Sequence, residues 1–86
     1  MIKELIQSLG LNNFVDVIYR DKKFILIHFL IEGKNLYIGF YEFKGEFRKV
    51  FVQSDNKITY FKDVPYYYQN EVIPKYIPRE NLKWEV

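Results

Sequence analysis

The chain has 86 residues, enough for one hydrophobic core and no second domain. Its formal charge of +2 is too small to identify a nucleic-acid partner by itself, and the lack of Cys excludes a disulfide framework, a Cys-ligated zinc site and a thiol nucleophile. Aromatic residues make up 20% of the chain, with eight Phe, eight Tyr and one Trp, and Ala is absent. Each large ring brings about 150–250 Å² of buriable surface, which offsets the small size of the chain.

At the N-terminus, Ile2, Leu5, Ile6 and Leu9 fall at i, i+3, i+4 and i+7, which predicts a short helix over 1–11. Gly10 stands where a left-handed C′ residue caps it, and Leu11 where the accompanying apolar contact sits. This opening is amphipathic and does not read as a secretory signal. The longest apolar run, Phe24 to Ile31, holds His28 and falls far short of a membrane span. The expected location is the cytoplasm.

Four turn signals follow at near-even spacing: Arg20-Asp21-Lys22-Lys23, Glu32-Gly33-Lys34-Asn35, Lys44-Gly45-Glu46-Phe47 and Ser54-Asp55-Asn56-Lys57. Runs dense in Ile, Val, Phe and Tyr lie between them. This alternation predicts a five-stranded antiparallel β-meander over 14–62, strongly curved or half-closed into a barrel. Tips at Asp21-Lys22, Gly33-Lys34, Gly45-Glu46 and Asp55-Asn56 set the registers. They pair Ile18 with Ile25, His28 with Gly39, Glu42 with Lys49 and Phe51 with Tyr60. The Gly-first tip at Gly45-Glu46 reads as type II′.

In those registers both sheet faces are apolar. One collects Val17, Tyr19, Phe24, Leu26, His28, Tyr41, Phe43, Val50, Val52 and Phe61. The other collects Ile18, Ile25, Ile27, Phe29, Ile38, Phe40, Phe51, Ile58 and Tyr60. One short helix cannot cover both, so the surplus face calls for barrel closure, the C-terminal segment or a second copy of the chain.

Residues 63–86 hold all three prolines and four of the eight tyrosines. Pro removes a donor and fixes φ, so this segment is expected to be an extended C-terminal strap ending in a helical turn from Arg79 to Trp84. The whole is an α+β single domain, 1–86.

Candidate chemistry is sparse. His28 is the only histidine, and its ordinary reading is a core residue opposite Gly39; the sharper one is a base beside a small-molecule space. Asp16, Glu42 and Lys49 share a face without the spacing that acid–base work requires, and no phosphate loop or metal-ligand pattern occurs. No enzyme activity, cofactor or metal is expected. A more informative geometry concerns charge. In a meander the first and third tips share an end with the close of the fifth strand. That gathers Arg20, Lys22, Lys23, Lys44 and Lys62, with Arg48 and Lys49 inboard and Tyr19, Phe43, Phe47 and Tyr60 nearby. Basic groups among rings on a sheet suit single-stranded nucleic acid, where rings stack on bases and cations follow phosphates. The plain alternative is a solvated hairpin end that discourages aggregation.

The preferred expectation is a non-catalytic protein-binding module. It would self-associate as a homodimer through Ile25, Ile27, Phe29, Ile38, Phe40, Phe51 and Tyr60, with Tyr67 and Trp84 as further contacts. The build is that of a small accessory protein of a virus, phage or other mobile element occupying a host factor, a likeness of type with no motif behind it. The alternative expectation is a single-stranded nucleic-acid-binding module using the basic end.

Overall fold

A computed structural model of the chain describes residues 14–54, 57–78 and 82. Among the described residues the sheet has five strands in the order β1 Phe14–Arg20, β2 Phe24–Ile31, β3 Lys34–Phe43, β4 Glu46–Ser54 and β5 Lys57–Phe61, each antiparallel to the next. The expected meander is therefore present, with β1 and β5 as its outer members among the described strands. The expected helix over 1–11, the Asp55-Asn56 tip and Trp84 lie outside the described residues.

The tips differ in detail from expectation. Ile31 pairs with Lys34 across Glu32 (φ 51°) and Gly33 (φ 77°), and Phe43 pairs with Glu46 across Lys44 (φ 51°) and Gly45 (φ 85°). Two consecutive positive φ values define type I′ turns, whose twist matches that of the strands. The turn at Lys44-Gly45 replaces the type II′ turn expected one residue later. Moving each tip by one residue shifts the pairing by two, which preserves side-chain alternation. Leu26, not His28, consequently faces Gly39, while His28 faces Tyr37.

The first tip is built differently. Arg20 pairs with Ile25, and Asp21 Oδ1 accepts hydrogen bonds from the backbone N–H groups of Lys23 (2.8 Å) and Phe24 (2.7 Å). This is an Asx-type turn, in which a carboxylate takes the place of a ladder acceptor.

Four bulges interrupt the ladder, and these do exchange faces. Extra residues stand at Val15 and Ile18 in β1, at Val50 in β4 and at Thr59 in β5. As a result Phe51 pairs with Gly39 and Phe61, and it lies on the face opposite to the one its alternation predicts. Ile18 and Ile58 change faces with it, and Val17 and Val52 make the reverse exchange.

After β5 the chain departs from the expected strap. A π-helical turn, Tyr68–Val72, runs into the short helix α1, Ile73–Tyr76, with Ile73 N–H donating to Tyr68 O and Ile77 N–H to Ile73 O. The prolines permit this because of where they fall. Pro65 precedes the first turn, and its carbonyl accepts from Gln69 N–H at 3.0 Å. Pro74 stands in the first turn of α1, directly after the wide turn, where its missing donor and its ring cost least.

Val64, Tyr68, Val72, Ile73 and Ile77 form a stripe that packs on Phe24, Leu26, Val50 and Phe51, joined by Leu82. Each fully buried apolar side chain contributes about 1.5–3 kcal/mol of transfer free energy. Gly39 belongs to this packing, because a Cβ there would lie 3.1 Å from Phe24 Cζ and 3.2 Å from Phe51 Cβ. The space left by Gly39 is thus filled by rings and offers no small-molecule site. The second face gathers Ile25, Ile27, Phe29, Ile38 and Phe40 with Val17, Ile31, Leu36, Phe47 and Val52 at its margin. The first five are each 5% exposed or less within a single chain. They are core, not the free interface that the sequence reading assigns to them.

Candidate basic and aromatic interface

The antiparallel order carries the first and third tips to one end of the sheet. Lys23 and Glu42, the residues flanking those tips, meet there: Lys23 Nζ lies 2.9 Å from Glu42 Oε2, and Glu42 N–H donates to Lys23 O. Glu42 Oε1 also accepts from Gly45 N–H at 2.8 Å. That backbone donor and then Lys23 hold the Glu42 carboxyl below its ordinary pKa. The expected Glu42–Lys49 pair does not form, because the third turn sets Phe47 opposite Glu42 and Lys49 opposite Phe40.

Beside this corner lies an open cleft of about 180 Å³ lined by Phe43, Arg48, Lys49, Val50, Tyr60, Lys62 and Asp63. It lies at the bulge at Val50 in β4, where Lys62 N–H donates to Val50 O at 2.9 Å. The Arg48 guanidinium carbon stands 5.9 Å from the centre of the Phe43 ring, and Lys49 Nζ stands 5.7 Å from that of Tyr60. Both are cation–π distances, so the two cations hold positions over ring faces at the rim. Arg48 also lies 3.7 Å from Glu46, with both side chains mostly exposed, a contact worth little in water.

Three of the seven basic candidates, Arg48, Lys49 and Lys62, therefore share one cleft with Tyr60. Arg20, Lys22 and Lys44 are exposed on the tips at the same end, and Lys23 is committed to Glu42. Of the residues assigned to a partner face, Phe51 lies under the helical segment and Tyr67 is exposed on it.

The acid at the first tip is withdrawn from solvent chemistry. Asp21 Oδ2 accepts from Tyr19 Oη at 2.7 Å and from Tyr68 Oη at 2.9 Å, in addition to the two backbone donors on Oδ1. Burial pushes the Asp21 carboxyl up, but these four donors together outweigh it and hold its pKa below the usual aspartate value. The Tyr19 hydroxyl is raised to about 12, chiefly by its bond to Asp21 and then by burial. Burial first and Asp21 second raise Tyr68 as well. The carboxylate thus ties the first hairpin to the helical segment. Sequence reasoning passed over it, although Asp at the head of a tight turn is the signal for an Asx turn.

Around this tie the rings are continuous. Tyr68 stacks on Phe24 at 4.6 Å and meets Tyr41 at 5.8 Å, Tyr67 at 5.2 Å and Tyr19 at 6.5 Å; Tyr41 meets Phe43 at 5.2 Å and Tyr19 meets Tyr76 at 5.8 Å. The series surfaces at Tyr67, 57% exposed, and Tyr76, 41% exposed, with Tyr66 beside Tyr67 at 79%.

His28 lies toward the other end of the sheet. Its ring stacks on Tyr37 at 4.7 Å, and its Nε2 hydrogen-bonds Asn35 Oδ1 at 2.8 Å. Asp16 is its β1 neighbour in register, yet the ring nitrogen engages the amide.

No protein-family model, curated protein or solved structure matches the chain. No helix among the described residues is long and apolar enough to cross a membrane.

Proposed function

We propose that this chain is a non-catalytic binding module whose working surface is the end of the sheet bearing the first and third hairpin tips, and that it holds single-stranded nucleic acid there. The observation that carries this reading is the cleft at β4 and β5, where Arg48, Lys49 and Lys62 border the rings of Phe43 and Tyr60. Single strands present alternating anionic and flat apolar groups, and such a cleft offers partners for both. Among the described residues, the acid lining the cleft is Asp63, Glu46 lies loosely beside Arg48, and the charge of Glu42 is paired with Lys23. Self-association through the Ile25–Phe40 face loses its support, since those side chains are buried within one chain.

The test is fluorescence anisotropy of a labelled thymidine decamer over a salt series. Three phosphate contacts at the cleft correspond to a slope of log affinity on log salt of about −2. Lys49→Glu with Lys62→Glu should remove most of the affinity. Lys34→Glu, at the opposite end, should leave it unchanged. An affinity independent of salt, or equal loss from all three substitutions, would refute the reading.

A second reading is a protein contact, including a homodimer, and the observation that favours it is the exposure of Tyr66, Tyr67 and Tyr76 on one helical segment. Tyrosine supplies contact area at low entropic cost. Light scattering on the tag-free protein reports it directly.

A further inference from the structure

We infer that the nucleic-acid path does not end in the cleft but continues over Tyr67 and Tyr66, so that the helical segment forms the second half of one binding track. The inference rests on the reading above and deepens it by assigning a role to exposed rings that the cleft leaves unused.

Two connections bring these rings within reach of the cleft. One is covalent. Lys62 and Asp63 form a wall of the cleft, and the chain passes from them through Val64 and Pro65 directly to Tyr66 and Tyr67. Four residues of fully extended chain reach about 14 Å at most, and Asp63 turns the backbone with a φ of 59°, so the actual span is shorter. The other connection is through ring packing. From Phe43 in the cleft the centroids step 5.2 Å to Tyr41, 5.8 Å to Tyr68 and 5.2 Å to Tyr67. The two ends are therefore no more than about 16 Å apart. At about 3.4 Å per stacked nucleotide, a strand needs about five nucleotides to bridge them.

Folding does not account for the exposure of these rings. Val64, Tyr68, Val72, Ile73 and Ile77 supply the buried stripe of the segment, whereas Tyr66 and Tyr67 leave 79% and 57% of their surface in water. Tyr67 is held on one side by its edge contact with Tyr68, whose hydroxyl is fixed by Asp21. A ring held on one side and otherwise exposed is pre-organised to stack. Charge agrees with an anionic ligand, because the track begins among Arg48, Lys49 and Lys62.

The length dependence of binding separates this inference from the reading beneath it. Anisotropy is measured for labelled thymidine trimers and decamers with the wild-type chain, the double variant Tyr66→Ala/Tyr67→Ala and the variant Tyr67→Phe, each shown by circular dichroism to melt cooperatively. The track requires the double variant to lose at least about fivefold in decamer affinity, the lower end of what removing a stacked ring costs. Trimer affinity should change less than twofold, and Tyr67→Phe, which keeps the ring, should bind the decamer like the wild type. A double variant equal to the wild type on the decamer overturns the track and leaves the cleft reading standing. Failure of Tyr67→Phe overturns stacking as its basis. If the wild type binds neither oligonucleotide, both fall. If the double variant instead abolishes self-association seen by light scattering while oligonucleotide binding is intact, these tyrosines belong to a protein interface and the track is overturned.

Discussion

Replacing Asp21 with Ala removes the acceptor that joins the first hairpin to the helical segment. Four donors lose their partner at once: the N–H groups of Lys23 and Phe24 and the hydroxyls of Tyr19 and Tyr68. A hydrogen bond to a charged group contributes about 1.5–3 kcal/mol, and less where water can replace it. The Lys23 donor is exposed and will find water, whereas the other three are part-buried. Since bonds to one carboxylate are not additive, the expected loss is about 3 kcal/mol. For a domain of this size that lowers the melting temperature by more than about 10 °C. Asp21→Asn keeps the Oδ1 acceptor for the turn, and the tyrosine hydroxyls can accept from its amide, so its cost should be about 1 kcal/mol. The assay is urea unfolding at pH 7 followed by circular dichroism, with near-ultraviolet signals reporting the tyrosines. An Asp21→Ala chain within about 0.5 kcal/mol of wild type would refute the reasoning.

The same carboxylate sets an acid limit. Its folded pKa lies below its unfolded value, so its contribution is complete above the ordinary aspartate range and fades as pH falls through the folded pKa; the Asp21→Asn chain should show a flatter stability curve below pH of about 4. At the alkaline limit the sign reverses. Tyr19 titrates at about 12 in the folded chain and above the ordinary tyrosine value of 10.0, so stability present below pH 10 is lost progressively toward 12, and Tyr19→Phe should reduce that slope in urea melts. Gly39→Ala should cost about 1–3 kcal/mol by pressing a methyl group on Phe24 and Phe51, and a neutral or stabilising effect would contradict the packing described. Ile73→Ala should cost about 2–5 kcal/mol in the same assay, whereas an extended strap without that contact would make it nearly silent.

The meander was legible because β-branched and aromatic runs alternate with turn residues, and an error of one residue in a tip moves the register by two. The faces of β2 and β3 were therefore assigned correctly from tips placed wrongly. Bulges leave no such trace. Nothing in the alternation around Val50 marks it as the extra residue, yet it moves Phe51 to the other face, and Val50 itself lines the cleft. The gathering of basic residues was legible for a topological reason, since tips one and three of any meander share an end. The helical segment carries its stripe in the sequence, since Val64, Tyr68, Val72, Ile73 and Ile77 follow helical spacing. Three prolines in the same stretch mask that periodicity. A Pro ahead of the first turn and another just after a wide turn are both compatible with helix, and positions matter more than count.

Backbone amide NMR during titration with the thymidine decamer tests the central claim most directly. The account requires shifts to concentrate on Phe43 to Phe51 and on Tyr60 to Asp63, with Lys34, Asn35 and His28 unmoved. Shifts centred on the Glu32-Gly33 end, or none at saturating oligonucleotide, would contradict it.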